Sequence, residues 1–165
     1  MLFIRSFSAQ IKQTEQLASW IEEVCVALEN VSPLRLRFVV HEAFVNACKF
    51  SEDENSSIIV LIRQKDRLEI TVTDPGRGFI LPEEISKFDH AAIGFKWNLV
   101  RDRDTSVVAE LSDSNTLRFM LQEEQNVAPE ELKENHRGLI SILKASKNLS
   151  YHYVPNSFNY LHITC

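Results

Sequence analysis

Four polar side chains early in the chain have the types and spacing for shared chemistry. If the segment Leu36 to Ser51 and the residues just before it are helical, Arg35, Glu42, Asn46 and Lys49 fall within about 40° of one line. The rest of that helix (Leu36, Phe38, Val39, Val40, Phe44, Val45, Ala47) is apolar and reads as buried on most sides. An acid, an amide and two bases on such a helix need partners, because unpaired buried charge is costly. A solvated face, an internal ion-pair network and a binding site would each supply them.

A second group follows in Asp74-Pro75-Gly76-Arg77-Gly78-Phe79. In the segment before it, Leu68, Ile70 and Val72 alternate with Glu69, Thr71 and Thr73, the pattern of a half-buried strand. Asp74 has the parity of the apolar set, which aims its carboxylate toward the helix-covered side if the register holds. Pro75 ends the strand, and Gly76 and Gly78 let the backbone turn tightly and approach a ligand closely. Taken alone, Asp-Pro-Gly is also the composition of a plain turn.

Both groups need a scaffold, and the chain offers one. Leu2 to Phe7 alternates weakly, as an edge strand does. From about Ser8 to Glu29, Leu17, Ile21, Val24 and Leu28 recur at helical spacing. Ser32 is the expected N-cap of the next helix, with Pro33 at its first position. Ile58 to Ile62 and Leu68 to Thr73 read as a hairpin about residues 64–67. Thr105 to Leu111 and Thr116 to Gln122 read as two further strands about the turn 112–115. Residues 122–135 are polar and acidic, with Pro129 as a helix start.

Composition narrows the classes. A chain of 165 residues suits one domain with a real core. At 44% hydrophobic and 25% charged residues it reads as a soluble globular protein. The net charge of −5 and the lack of a dense Lys/Arg run argue against nucleic-acid binding. Cys25, Cys48 and Cys165 have no zinc-ligand spacing and read as reduced, buried thiols of a cytoplasmic protein. No signal-peptide core and no apolar run of membrane-spanning length is present. His41-Glu42 begins a zinc-protease signature, but Val45 stands where the second histidine belongs, so His41 reads as structural on a buried helix. His90, His136, His152 and His162 lack metal-ligand spacing.

Glu42-x-x-x-Asn46 on a helix, followed by a hairpin ending in Asp74-x-Gly76-x-Gly78-Phe79, resembles the ATP site of the Bergerat-fold (histidine-kinase-like) ATPases. Within that superfamily the chain looks most like the anti-sigma factor serine-protein kinases of bacterial partner switching. Glu42-Ala43-Phe44-Val45-Asn46-Ala47, Thr73 to Phe79, and Arg137-Gly138-Leu139 with its following helix and strand carry the likeness. It covers roughly Leu2 to Phe79 and Arg137 to Cys165. The resemblance implies a single α+β domain over 1–165: a two-layer α/β sandwich whose mixed, mostly antiparallel sheet is covered on one face by helices. Residues 80–136 take the place of the ATP lid, enlarged by an extra β-hairpin that serves partner binding or is an ordered surface insertion. Ile93-Gly94-Phe95 is a second candidate for the late glycine box; Gly138 fits the following helix and strand better.

By the same resemblance Asn46 would ligate Mg²⁺ and bridge to the phosphates of ATP, while Glu42 would accept the proton of a serine hydroxyl or water. Asp74 would accept from the adenine amino group. Gly76 and Gly78 would keep the pocket floor clear, and Lys49, Arg77, Arg137 and Gly138 would lie along the phosphates. The implied activity is ATP-dependent phosphorylation of a serine on a STAS-type anti-sigma factor antagonist by a protein that also holds a sigma factor or similar regulator. A homodimer is implied by the resemblance only. With four glycines in the chain, a lone Gly138 in the late box and Phe50 where a histidine is usual, a second reading is a Bergerat-fold binding module that sequesters a regulator without turnover. The detached catalytic domain of a histidine kinase is a third.

Overall fold

The computed structural model describes residues 1–76, 78–79, 81–82, 90–102, 105–123, 137–154 and 157–165, without the side chains of 100–102 and 137. The acidic segment after Glu123, with the helix start expected at Pro129, lies outside them, as does Arg77.

The chain opens with β1 (Leu2–Ser8) and a 3₁₀ turn (Ile11–Gln13), then α1 (Thr14–Ala27) and α2 (Pro33–Phe50). A hairpin follows, β2 (Ser57–Gln64) and β3 (Leu68–Asp74). Next come a 3₁₀ turn (His90–Ala92), β4 (Lys96–Asp102), β5 (Thr105–Asp113) and β6 (Thr116–Glu123). The last elements are α3 (Arg137–Ala145), β7 (Asn148–His152) and β8 (Asn159–Thr164). All eight strands form one sheet in the order β1-β2-β3-β8-β7-β6-β5-β4. Every described pairing is antiparallel. This is the expected α+β sandwich, with α2 on β2 and β3, α3 on β5, β6 and β7, and α1 against α2.

Strand alternation supplies the core. Ile58, Val60 and Ile62 of β2, Leu68, Ile70 and Val72 of β3, and Leu161 and Ile163 of β8 are buried beneath the helices. Leu36, Val39, Val40, Ala43, Phe44 and Ala47 of α2 meet them, each buried. Phe38 is not part of this contact: it turns outward and is 41% exposed. Ser32 caps α2 as expected, its Oγ accepting from the Arg35 N–H at 3.4 Å. The first helix starts later than the periodicity suggests, because Ser8 still pairs with Ser57 and the Ala9 N–H donates to the Ser56 carbonyl.

The two strands expected about residues 112–115 do not stand apart as a surface hairpin. They are β5 and β6 of the main sheet, and Val107, Ala109, Leu111, Leu117 and Phe119 lie in the common core. Strand β4, which the sequence pattern did not single out, extends that edge, with Trp97 and Leu99 packed against the core. The three cysteines are free and half-buried rather than fully buried. Burial alone pushes the Cys48 thiol up to about 11, away from reactivity. Among the described residues, no helix is long and apolar enough to cross a membrane.

Helix α3 runs antiparallel to α2 and is pinned at its C-terminal end: the Arg35 Nε–H donates to the Ala145 carbonyl at 2.6 Å. A cation on a terminal carbonyl satisfies an orphan acceptor and suits the negative end of the helix. Arg35→Ala is therefore expected to lower unfolding free energy by about 1 kcal/mol, with faster amide hydrogen exchange concentrated in α3.

Candidate functional site

The polar line on α2 faces α3. Arg35 holds the far end of α3, and Glu42 and Asn46 meet its first turn. A Cβ added at Gly138 would sit 3.0 Å from Asn46 Nδ2, 3.0 Å from Glu42 Oε2 and 3.3 Å from Asn46 Oδ1. A glycine is what allows the helix N-terminus to come this close to the two polar groups. The free N–H groups of that first turn form a positive helix end, so carboxylate, carboxamide and helix terminus together suit an anionic ligand carrying a cation.

Asp74 extends from the end of β3 on the core side, as its parity required. Both of its oxygens are engaged. Oδ1 accepts from the Gly76 N–H at 2.9 Å, and Oδ2 accepts from the Tyr151 O–H at 2.6 Å. The second is a short, charge-assisted bond. Burial first, and the adjacent Asp74 carboxylate second, push the Tyr151 phenol far above its usual range, so it remains a proton donor. The glycine loop is braced from β8 by the buried Asn159, whose Nδ2–H donates to the Gly76 carbonyl at 3.2 Å while its Oδ1 accepts from the Val154 N–H at 3.2 Å. Gly78 has φ +94°, a conformation that L side chains rarely adopt.

Between α2, the glycine loop and β7 lies a cavity of about 350 Å³. Asp74 makes a polar end, Asn46 adds a second polar group to the lining, Phe79, Phe119 and Leu139 are among the apolar walls, and Asn98 and Leu99 of β4 also line the cavity. Phe79 is tilted against Phe119 at 5.5 Å and edge-on to Tyr151 at 5.6 Å. A mostly apolar cleft with a few fixed polar groups is the usual form of a small-molecule site.

Of the residues singled out in the sequence, Asn46, Asp74 and Gly78 line this one cavity, while Gly76 and Gly138 shape its borders. Glu42 stands beside Asn46 at the α3 terminus. Lys49 is exposed in the last turn of α2 and does not line the cavity. Arg137 opens α3, but its side chain, like Arg77, is not among the described parts. His41 is not buried: its side chain is 46% exposed, with Nδ1 3.6 Å from Glu42 Oε1. Gly94, the other glycine-box candidate, has open space around it and lies in a turn bonded to Leu111, away from Glu42 and Asn46. His152 and His162 are bonded to hydroxyls of Thr116, Ser150 and Thr71. Among the described residues, no three His, Cys, Asp or Glu side chains converge as a metal cluster. Tyr151 and Asn159 escaped the sequence reading. The one available signal was the inward parity of Tyr151 beside Leu149.

The two border glycines are expected to respond differently to alanine. At Gly76 a Cβ would run into the Phe50 carbonyl oxygen, which is backbone. Gly76→Ala should cost about 2 kcal/mol through overpacking. At Gly138 the atoms met are ends of side chains, and alanine is the better helix former by about 1 kcal/mol, so Gly138→Ala should keep or raise Tm. Thermal unfolding of both variants checks this.

The family model of the histidine kinase-like ATPase domain matches residues 7–93. That span includes α2, β3 and the glycine loop and stops short of α3, β7 and β8. No curated protein matches the chain at a significant level. A match over more than half of the sequence, on the residues that carry Asn46, Asp74 and Gly78 into one cavity, makes this chain a member of the histidine kinase-like ATPase domain family.

Proposed function

We propose that the protein is an anti-sigma-factor-type serine kinase that binds ATP with Mg²⁺ and phosphorylates a serine hydroxyl of a STAS-type antagonist. In this reading it also holds a sigma factor or similar regulator. The observation that carries the reading is the meeting of Glu42 and Gly138 at Asn46, which lines the same cavity as Asp74. Asp74 receives the adenine amino group, and the apolar walls receive the ring. The α3 terminus and Asn46 face the phosphates. Asn46 offers a hard carboxamide oxygen that would hold a cation, with the Glu42 carboxylate beside it. Bound there, Mg²⁺ would neutralise phosphate charge, the main requirement of phosphoryl transfer. Glu42 takes the proton of the attacking serine hydroxyl as the serine oxygen bonds to the γ-phosphorus and the bond from that phosphorus to the β–γ bridging oxygen breaks, releasing ADP.

A second reading, a binding module without turnover, is favoured by the presence of one glycine, Gly138, where the resemblance leads one to expect a flexible glycine run.

Calorimetric titration with ATP, with and without Mg²⁺, tests the site. Binding is expected to be Mg²⁺-assisted, and weakened about tenfold or more by Asp74→Asn. Gly138→Ala, by displacing Asn46 and Glu42, should remove most of the Mg²⁺ dependence while the protein stays folded. Glu42→Gln should bind ATP within about twofold of wild type yet transfer phosphate about a hundredfold more slowly. Absence of ATP binding would overturn the proposal, and binding without serine phosphorylation would select the second reading.

A further inference from the structure

Tyr151 has a place in the cavity that the proposed roles of Asp74 and Asn46 leave unexplained. Its ring is buried in the wall, and its hydroxyl stands 2.6 Å from Asp74 Oδ2, at the same polar end. It lies outside the matched span 7–93, on a strand contributed from much later in the chain. A phenol has one proton to give and lone pairs to accept with. Here that proton is given to Asp74. The Gly76 N–H is likewise committed to Asp74 Oδ1. The polar end therefore pairs one carboxylate acceptor with one hydroxyl whose proton can be redirected.

We infer that Tyr151 is a base-reading residue, which donates to N1 of a 6-aminopurine while Asp74 accepts from the amino group. The inference rests on the adenine-pocket reading above and deepens it. The exchange conserves hydrogen bonds. The amino group supplies Asp74 Oδ2 with a new donor, and the hydroxyl turns from the carboxylate to the adjacent ring nitrogen. A 6-oxopurine reverses both positions, placing a carbonyl against the carboxylate and an N–H donor where the Tyr151 hydroxyl needs an acceptor. Leaving buried polar groups unmatched is what gives such sites their discrimination. Phe79, itself tilted against Phe119, lies edge-on to the Tyr151 ring, so the position of the phenol is fixed and its hydroxyl stays beside Asp74.

The test compares ADP, 1-deaza-ADP (N1 replaced by C–H) and the 6-oxopurine nucleotide IDP by calorimetry on wild-type protein and Tyr151→Phe. Wild type should bind ADP about tenfold more tightly than 1-deaza-ADP, and IDP more weakly still. In Tyr151→Phe, ADP and 1-deaza-ADP should bind alike, because the partner of N1 is gone. Equal binding of ADP and 1-deaza-ADP to wild type, or a preference for IDP, would overturn the inference without any variant having to fold. An unchanged ADP to 1-deaza-ADP ratio in a folded Tyr151→Phe would do so as well. Failure of wild type to bind any of the three would instead overturn the adenine-pocket reading, and this inference with it.

Discussion

Helix α2 carries a polar line that the sheet beneath it cannot satisfy, and much of the architecture answers that constraint. Its buried apolar residues are used on β2, β3 and α1. What remains is an arginine near one end and an acid and an amide toward the other. Helix α3 answers both with its two ends, a carbonyl for Arg35 and the Cβ-free position of Gly138 for Glu42 and Asn46. Because the two helices are antiparallel, the ends of α3 carry the charges that each group prefers.

The cavity is assembled from segments far apart in sequence, each held by a partner from another. Asp74 ends β3, yet its orientation is fixed by a hydroxyl from β7 and by the next turn's own N–H. The glycine loop needs freedom at Gly78 and is compensated by the buried amide of Asn159, which ties it to the β7–β8 connection. Strands β4, β5 and β6 are equally integral. They continue the sheet, add Phe119 and Leu99 to the cavity, and give α3 an apolar floor.

Local patterns carried most of this information, and the limits of their reach explain what they missed. The period of α2, the alternation of β3 and the Asp-x-Gly-x-Gly turn are properties of contiguous residues, and each is where the sequence places it. Even the facing of Asp74 follows from parity alone. The outward turn of Phe38 and the exposure of His41 were not legible, because they depend on which arc of α2 is left uncovered by its neighbours. The roles of Tyr151 and Asn159 depend on register across strands separated by most of the chain, and no local window contains that. The strands about residues 112–115 read as an extra hairpin, for partner binding or as a surface insertion, for the same reason: their inner faces are ordinary alternation, and only the presence of a continuing sheet edge makes them core.

The position of β8 has a consequence for how the molecule comes into being. Strands β1 to β3 form one antiparallel set and β4 to β7 another, and the final strand lies between them as the only element that pairs with both. During synthesis both sets emerge before the residues that join them, so β3 waits with an open edge and an unplaced Asp74. Exposed edges of this kind recruit other strands, and the pairing that closes this one spans nearly the whole interval from Asp74 to Asn159, a slow class of contact. The strand that closes the sheet also carries Leu161 of the cavity wall and the Asn159 brace of the glycine loop, so the pocket is complete only when the sheet is.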